Sequence, residues 1–261
     1  MHGTIAVLLC KPRLGGARES MSHDLLPLSL PARFSFAEFR KVTPIDESSL
    51  CPLLLERNAE RIKVKRRATA EINLRAIFLA TFRLANRSGF HAMTLRELSR
   101  EAGLSMGGLY AYLENKDALS AMIEDVIRYI CEGLPEWFAA IEAPLDRAEA
   151  VLRGHLFLSE MLQPWFYFVY MESRSLPAEQ RAQARASELG IEAQLAQLLL
   201  TDDGLDEAEA RLLAGHALAL VQDWHLKRWK YKASGVSIDT FANSVVGLLR
   251  AGVAQAVPAT G

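Results

Sequence analysis

Met93-Thr94-Leu95-Arg96-Glu97-Leu98-Ser99-Arg100-Glu101-Ala102-Gly103-Leu104-Ser105-Met106-Gly107-Gly108-Leu109-Tyr110-Ala111-Tyr112-Leu113-Glu114-Asn115-Lys116 is the stretch on which the fold of this 261-residue chain turns. Thr94, followed three residues later by Glu97, is a capping box that opens a helix over Leu95 to Ala102. Gly103 ends it, because glycine takes the positive φ of a tight turn without steric cost. Ser105 then caps a second helix to about Leu113, and Lys116 opens a third. Leu95, Leu98 and Ala102 face Leu104 and Leu109, so the two short helices share one small apolar core. Gly107 and Gly108 each cost the second helix about 1 kcal/mol relative to alanine. That cost points to close approach of another body at the start of this helix.

Upstream, Ala68 to Ser88 reads as an amphipathic helix with one broad apolar face, closed by Gly89. Downstream the pattern stays helical: Lys116 to about Leu134, Leu145 to Gln163, Trp165 to Ser173, Ala178 to Leu200, Leu205 to Lys232 and Ile238 to Ala254. Proline or glycine marks each break. No strand-like alternation and no fixed repeat occurs, so the expected class is all-α. Residues 57–119 form a basic arm and a three-helix unit, and residues 120–256 a larger helical domain. A tail follows at 257–261. Residues 1–56 hold five prolines without sustained periodicity. They read as a largely unstructured extension with one short helix near Phe36 to Arg40, and Met21 is an alternative start.

Half of the residues are apolar and 23% are charged, the composition of a folded globular chain. No apolar run approaches a membrane span. The three cysteines (Cys10, Cys51 and Cys131) form no CxxC pair, so no zinc knuckle or disulfide framework is implied, no metal site is expected, and the cytoplasm is the default compartment. The net charge of −1 hides an asymmetry: Arg57 to Lys116 holds twelve Lys/Arg against five Asp/Glu, a segment at +7, and the remainder sums to −8. A basic block beside an acidic remainder fits a polyanionic partner for one part only.

The stretches Ser88 to Leu98 and Ala102 to Leu119, with the amphipathic helix that precedes them, resemble the DNA-binding domain of TetR-family regulators over roughly Thr69 to Ile127. The chain departs from the family pattern at Leu113, usually Phe, and at Met106-Gly107-Gly108, often Lys-Gly-Thr. The resemblance implies that Thr94 caps its helix at the DNA backbone. It puts Ser105, Met106, Gly107 and Gly108 at the groove, Tyr110, Tyr112 and Lys116 on phosphates, and Ala111 near a base. Arg96 is a further candidate phosphate contact. Arg57, Arg61, Lys63, Lys65, Arg66 and Arg67 form a basic arm able to enter the minor groove or grip phosphates.

The resemblance further implies a middle region that encloses a small, largely apolar effector, an acyl or acyl-thioester compound among the candidates. The aromatic and cationic candidates for that pocket are Trp137, Phe138, Phe157, Trp165, Phe168, Arg174, Trp224 and Arg228. The last two helices carry long apolar faces, His216 to Val221 and Val245 to Leu249, suited to a homodimer on a palindromic operator. The function so implied is a repressor released from double-stranded DNA by its effector. The alternative is a helical adaptor that binds protein. No phosphate loop, Gly-x-Ser-x-Gly or His-Glu-x-x-His is present, so no catalytic residue, enzyme activity or cofactor is expected. His155, His216 and His225 read as packing or polar-network residues.

Overall fold

The computed structural model describes residues 27–172, 177–200 and 205–256. Among them the regular structure is entirely helical: α1 (Phe36–Val42), α2 (Glu47–Arg57), α3 (Arg67–Ser88), α4 (Leu95–Glu101), α5 (Met106–Leu109), α6 (Lys116–Trp137), α7 (Pro144–Met161), α8 (Gln163–Glu172), α9 (Ala178–Leu199), α10 (Glu207–Leu226), α11 (Arg228–Ala233) and α12 (Ile238–Ala256). Helices α3 to α5 form a head, and α7 to α12 a body. Helix α6 runs from one into the other, so the expected boundary at residue 119 falls inside a helix.

The extension was expected to be largely unstructured with one short helix near Phe36 to Arg40; that helix is present as α1, and residues 27–56 are ordered further by α2 and by buried aromatic rings. Ser35 and Glu38 cap α1 reciprocally, and Asp46 and Ser49 do the same for α2. Pro52 sits inside α2, where it removes only the bond to the Ser48 carbonyl. Phe34 and Phe39 are buried, and Phe34 stacks on Phe138 with centroids 5.4 Å apart. Leu28, Phe34, Phe39, Ile45, Leu50 and Leu54 are buried here, and burial of apolar surface is what opposes the entropy of ordering such a segment. Residues 1–26, the tail at 257–261 and Arg174 lie outside the described residues.

Helix α7 is the central helix of the body, buried from Ala148 through Ser159. It carries a buried ion pair, Glu149 to Arg153 at 3.0 Å. Arg250 of α12 and Arg33 of the extension also reach Glu149, and Arg153 donates to Asn243 at 2.6 Å. Such a network is weak evidence for stability, and it ties α12 and the extension to α7.

Two helices differ from the sequence reading. The second helix of the motif stops at Leu109 instead of about Leu113, because two glycines weaken it and Tyr112 turns into the core. The helix expected over Leu205 to Lys232 breaks at Lys227. Seven residues of straight helix would hold Trp224 and Tyr231 about 10 Å apart along the axis, yet their rings stack at 5.2 Å. The Tyr231 hydroxyl also donates to Asp223.

Candidate functional site

The helix-turn-helix is built as its sequence demands. Thr94 caps α4, and Glu97 reaches back to the Thr94 N–H at 2.9 Å. These hydrogen bonds hold the Glu97 carboxyl below its ordinary range. Gly103 takes φ +70°, the Leu104 N–H donates to Ser99 O at 2.9 Å, and the Ser99 hydroxyl donates to Leu104 O at 2.6 Å. Leu98 and Leu109 are buried, and Leu95, Ala102 and Leu104 pack against them. The tight turn therefore rests on one glycine and one serine, and it presents α5 rigidly.

On the outer side Thr94, Arg96, Ser105, Gly107 and Tyr110 are exposed, while Met106, Gly108 and Ala111 are half-buried. The Gly108 N–H is already taken by the Ser105 hydroxyl at 3.0 Å. A Cβ on Gly107 would meet nothing within 4 Å, so the fold itself does not require this glycine. Residues 62–66 lie outside any helix and are pinned to the turn after α5 by a hydrogen bond from the Lys63 N–H to Ala111 O at 2.9 Å. Among the described residues Arg61, Lys63, Lys65, Arg66, Arg96 and Arg100 form no ion pair, which leaves their charge available to a polyanion.

Four of the predicted contacts are placed otherwise. Tyr112 is 2% exposed, and its hydroxyl accepts from Asn73 at 2.9 Å. Its hydroxyl pKa is raised by burial, against the Asn73 bond. The Lys116 ammonium donates to the carbonyls of Phe90, His91 and Met93 at 3.1, 2.6 and 3.3 Å and lies 5.3 Å from the Phe90 ring centroid. Its three protons tie the head's loop to the start of α6, so it is a loop cap in this structure. Arg57 is not in the arm: it ends α2 and forms a two-pronged bond with Asp125. Arg67 is exposed but engaged by Glu71 and Glu56. A charge pattern cannot separate these from the free cations, because their partners lie on other helices.

The pocket prediction needs the larger correction. A cavity of about 1120 Å³ opens between α2, α6, α8, α9 and α10. None of the predicted residues among the described ones lines it. Trp137, Phe138 and Phe157 are covered by Phe34 and Phe39 of the extension. Trp165 and Phe168 pack into the head against Phe78, Phe82 and Phe90, with Phe168 also lining a small cavity of about 160 Å³. Trp224 and Arg228 both bond to Glu160. The sequence shows aromatic content but not which face of α8 each ring takes.

The actual lining is apolar at Met122, Cys131, Phe166, Val169 and Leu218, with arginines and carboxylates elsewhere. Three polar groups in it, Glu56 Oε2, Glu124 Oε1 and His155 Nδ1, lack a partner. Glu124 Oε1 is unpartnered, and burial pushes this carboxyl up to about 7. His155 is 4% exposed, its Nδ1 has no partner, and burial lowers it to about 4. Burial also pushes the Cys131 thiol up to about 12, which makes it inert as a nucleophile. No group of His, Cys, Asp and Glu among the described residues could hold a metal, and no helix there is long and apolar enough to cross a membrane.

Residues 77–122 match the family model described as bacterial regulatory proteins, tetR family, which spans α4, α5 and most of α3. Over these residues the chain resembles the DNA-binding region of that family. No curated protein matches it. Among solved structures, the TetR-family regulator PfmR from Thermus thermophilus is 18% identical (TM-score 0.56), covering 66% of this chain and 96% of its own. FadR from Bacillus subtilis, in complex with stearoyl-CoA, is 21% identical (TM-score 0.55) over 68% of this chain and 97% of its own. AibR, in complex with isovaleryl coenzyme A and operator DNA, is 20% identical (TM-score 0.54) over 67% and 97%. At these identities the likeness is one of fold. The matched stretch contains the helix-turn-helix described above.

Proposed function

We propose that the chain is a cytoplasmic homodimeric repressor, released from a palindromic operator when a small amphipathic effector fills the cavity between α2, α6, α8, α9 and α10. In this reading residues 61–119 bind DNA, and 120–256 together with α2 and the turn after it bind the effector, with the partner on the body. The observation that carries the DNA contact is the pinned arm: a backbone bond holds its unpaired cations beside an exposed Ser105, Gly107 and Tyr110. Thr94, Arg96, Ser105, Met106, Gly107, Gly108, Tyr110 and Ala111 are the proposed contacts, with Arg61, Lys63, Lys65 and Arg66 from the arm. Lys116 and Tyr112 act through the shape of the head. A gel shift with DNA from upstream of its own gene tests this. Salt-sensitive, sequence-selective binding is expected, and its absence refutes the proposal.

The dimer face is the exposed side of α10 and α12, where Leu212 and Leu248 are each 60% exposed beside Gly247 and Ala251. Exposed leucines beside small residues suit close helix packing across a two-fold axis. Helix α8 supplies the link from cavity to head. Its Phe166, Val169 and Tyr170 line the cavity, while Trp165 and Phe168 grip Phe78, Phe82 and Phe90. An effector that binds one orientation of α8 more tightly shifts the spacing of the two heads. An acyl thioester fits as effector class: two relatives in fold hold acyl-coenzyme A ligands, and the lining joins an apolar body to arginines.

A further inference from the structure

Residues 56–61 precede the helix-turn-helix in the chain, yet Glu56, Arg57, Asn58, Ala59, Glu60 and Arg61 form one wall of the cavity. They are tied down on both sides. Arg57 Nε and Nη2 donate to the two oxygens of Asp125 on α6 at 2.5 and 2.6 Å, and its guanidinium lies 4.4 Å from the Tyr129 ring centroid. Arg67 at the start of α3 closes the turn by pairing with Glu56 at 3.2 Å. Ile62 is buried, and the next residue, Lys63, donates its N–H to Ala111 O in the turn after α5. Two residues of chain, at most about 7 Å of extended backbone, therefore separate the cavity wall from the DNA-reading element. A segment so short and held at both ends has no slack to absorb a displacement.

We propose that residues 56–63 are a coupling strap: they read an anionic head group at the cavity mouth through Arg57 and pass its presence to α5 through the Lys63–Ala111 hydrogen bond. This rests on the reading of the cavity as the effector site. Asp125 is shared with Arg128, which donates to it at 2.5 Å, so Arg57 can turn to a ligand phosphate without leaving that carboxylate unpaired. A phosphate accepts the same two-pronged bond that Asp125 accepts now. Arg61 and Arg185, neither in an ion pair among the described residues, add cations at the same mouth. The exchange frees the end of α2 from α6. The strap then moves, and the arm and α5 leave their common register. Ligand and DNA thus compete for two arrangements of one segment, which is what a coupling free energy requires.

The test uses the full chain, with stearoyl-CoA as probe and a duplex that the wild-type protein selects from a random pool. Lys63→Pro lacks the N–H, whereas Lys63→Ala keeps it and loses the same charge. Calorimetry is expected to give stearoyl-CoA affinities for the two variants within about threefold of each other. The ratio of duplex Kd values with and without stearoyl-CoA is expected to fall at least tenfold in Lys63→Pro relative to Lys63→Ala. In the wild type, hydrogen exchange at the Lys63 amide is expected to rise at least fivefold on saturation with stearoyl-CoA, a readout that needs no variant to fold. Bound stearoyl-CoA with an unchanged ratio and unchanged exchange overturns the strap alone. No binding of stearoyl-CoA to the wild type overturns the cavity reading and the strap with it.

Discussion

Replacing Lys116 with Met keeps the apolar stem and removes the ammonium that caps three carbonyls. The loss follows from the geometry. The bonds to His91 O and Phe90 O, at 2.6 and 3.1 Å, are the strong ones, and that to Met93 O at 3.3 Å is weak. Hydrogen bonds to charged groups contribute about 1.5–3 kcal/mol each when buried. Lys116 is only half-buried, so water replaces part of each bond and about 1 kcal/mol apiece is the fair share for the two shorter ones. The contact with the Phe90 ring adds about 0.5–1 kcal/mol. The sum is about 2–3 kcal/mol, which for a chain of this size lowers the thermal midpoint by about 4–12 °C. Circular dichroism melting reads this directly. Duplex affinity measured against salt reads the alternative, because a lost phosphate contact lowers the magnitude of the slope by about 1. A midpoint unchanged to within about 1 °C, with a shallower salt slope, would refute the loop-cap reasoning and restore Lys116 to the phosphate backbone.

Three further outcomes are expected. Phe34→Ala opens a hole among Phe39, Phe138 and Phe157 and is expected to cost about 3–5 kcal/mol; a urea titration that matches wild type would show the extension to be dispensable. Burial lowers His225 from an ordinary 6.5 to about 3, and both its ring nitrogens lack partners. The unfolded chain therefore takes up a proton below about pH 6.5 that the folded chain refuses, and stability is lost as the pH falls, by about 2 kcal/mol between pH 6.5 and 5. Glu124, raised by burial to about 7, acts in the opposite sense, losing stability as the pH rises from 4.5. Comparing His225→Phe with wild type isolates the histidine: the variant should show a smaller loss of unfolding free energy from pH 7 to 5, and an equal loss would contradict the assignment. Leu248→Glu is expected to leave the monomer folded, since the side chain is 60% exposed, and to abolish dimers in sedimentation together with operator binding; a dimer that survives would move the interface elsewhere.

Much of the architecture was legible because its signals are local. The capping box of Thr94 and Glu97, Gly103 in its turn and the apolar pattern of Leu95, Leu98 and Leu109 depend on neighbours within a few residues. The start of α6 at Lys116 follows from the same kind of cap, since the Asn115 side chain accepts from the Ala118 N–H. What residue order did not show was which cations and which rings meet a distant partner. Arg57 and Arg61 look alike in sequence, but Arg57 meets Asp125, sixty-eight residues away, and Arg61 meets no carboxylate among the described residues. The aromatic residues Trp137 and Phe157 look like a ligand box, and the extension fills it.

Sequence by itself determined that this chain is helical, that it carries a TetR-type helix-turn-helix and that its basic charge is concentrated there, because caps, periodicity and composition are written along the chain. Tertiary structure alone decided which cations remain free, that Lys116 and Tyr112 are turned inward, and that the cavity lies under α2 rather than among the tryptophans. Ion pairs and cavities are made by groups far apart in the chain, and their energies depend on distance and burial, which residue order does not contain.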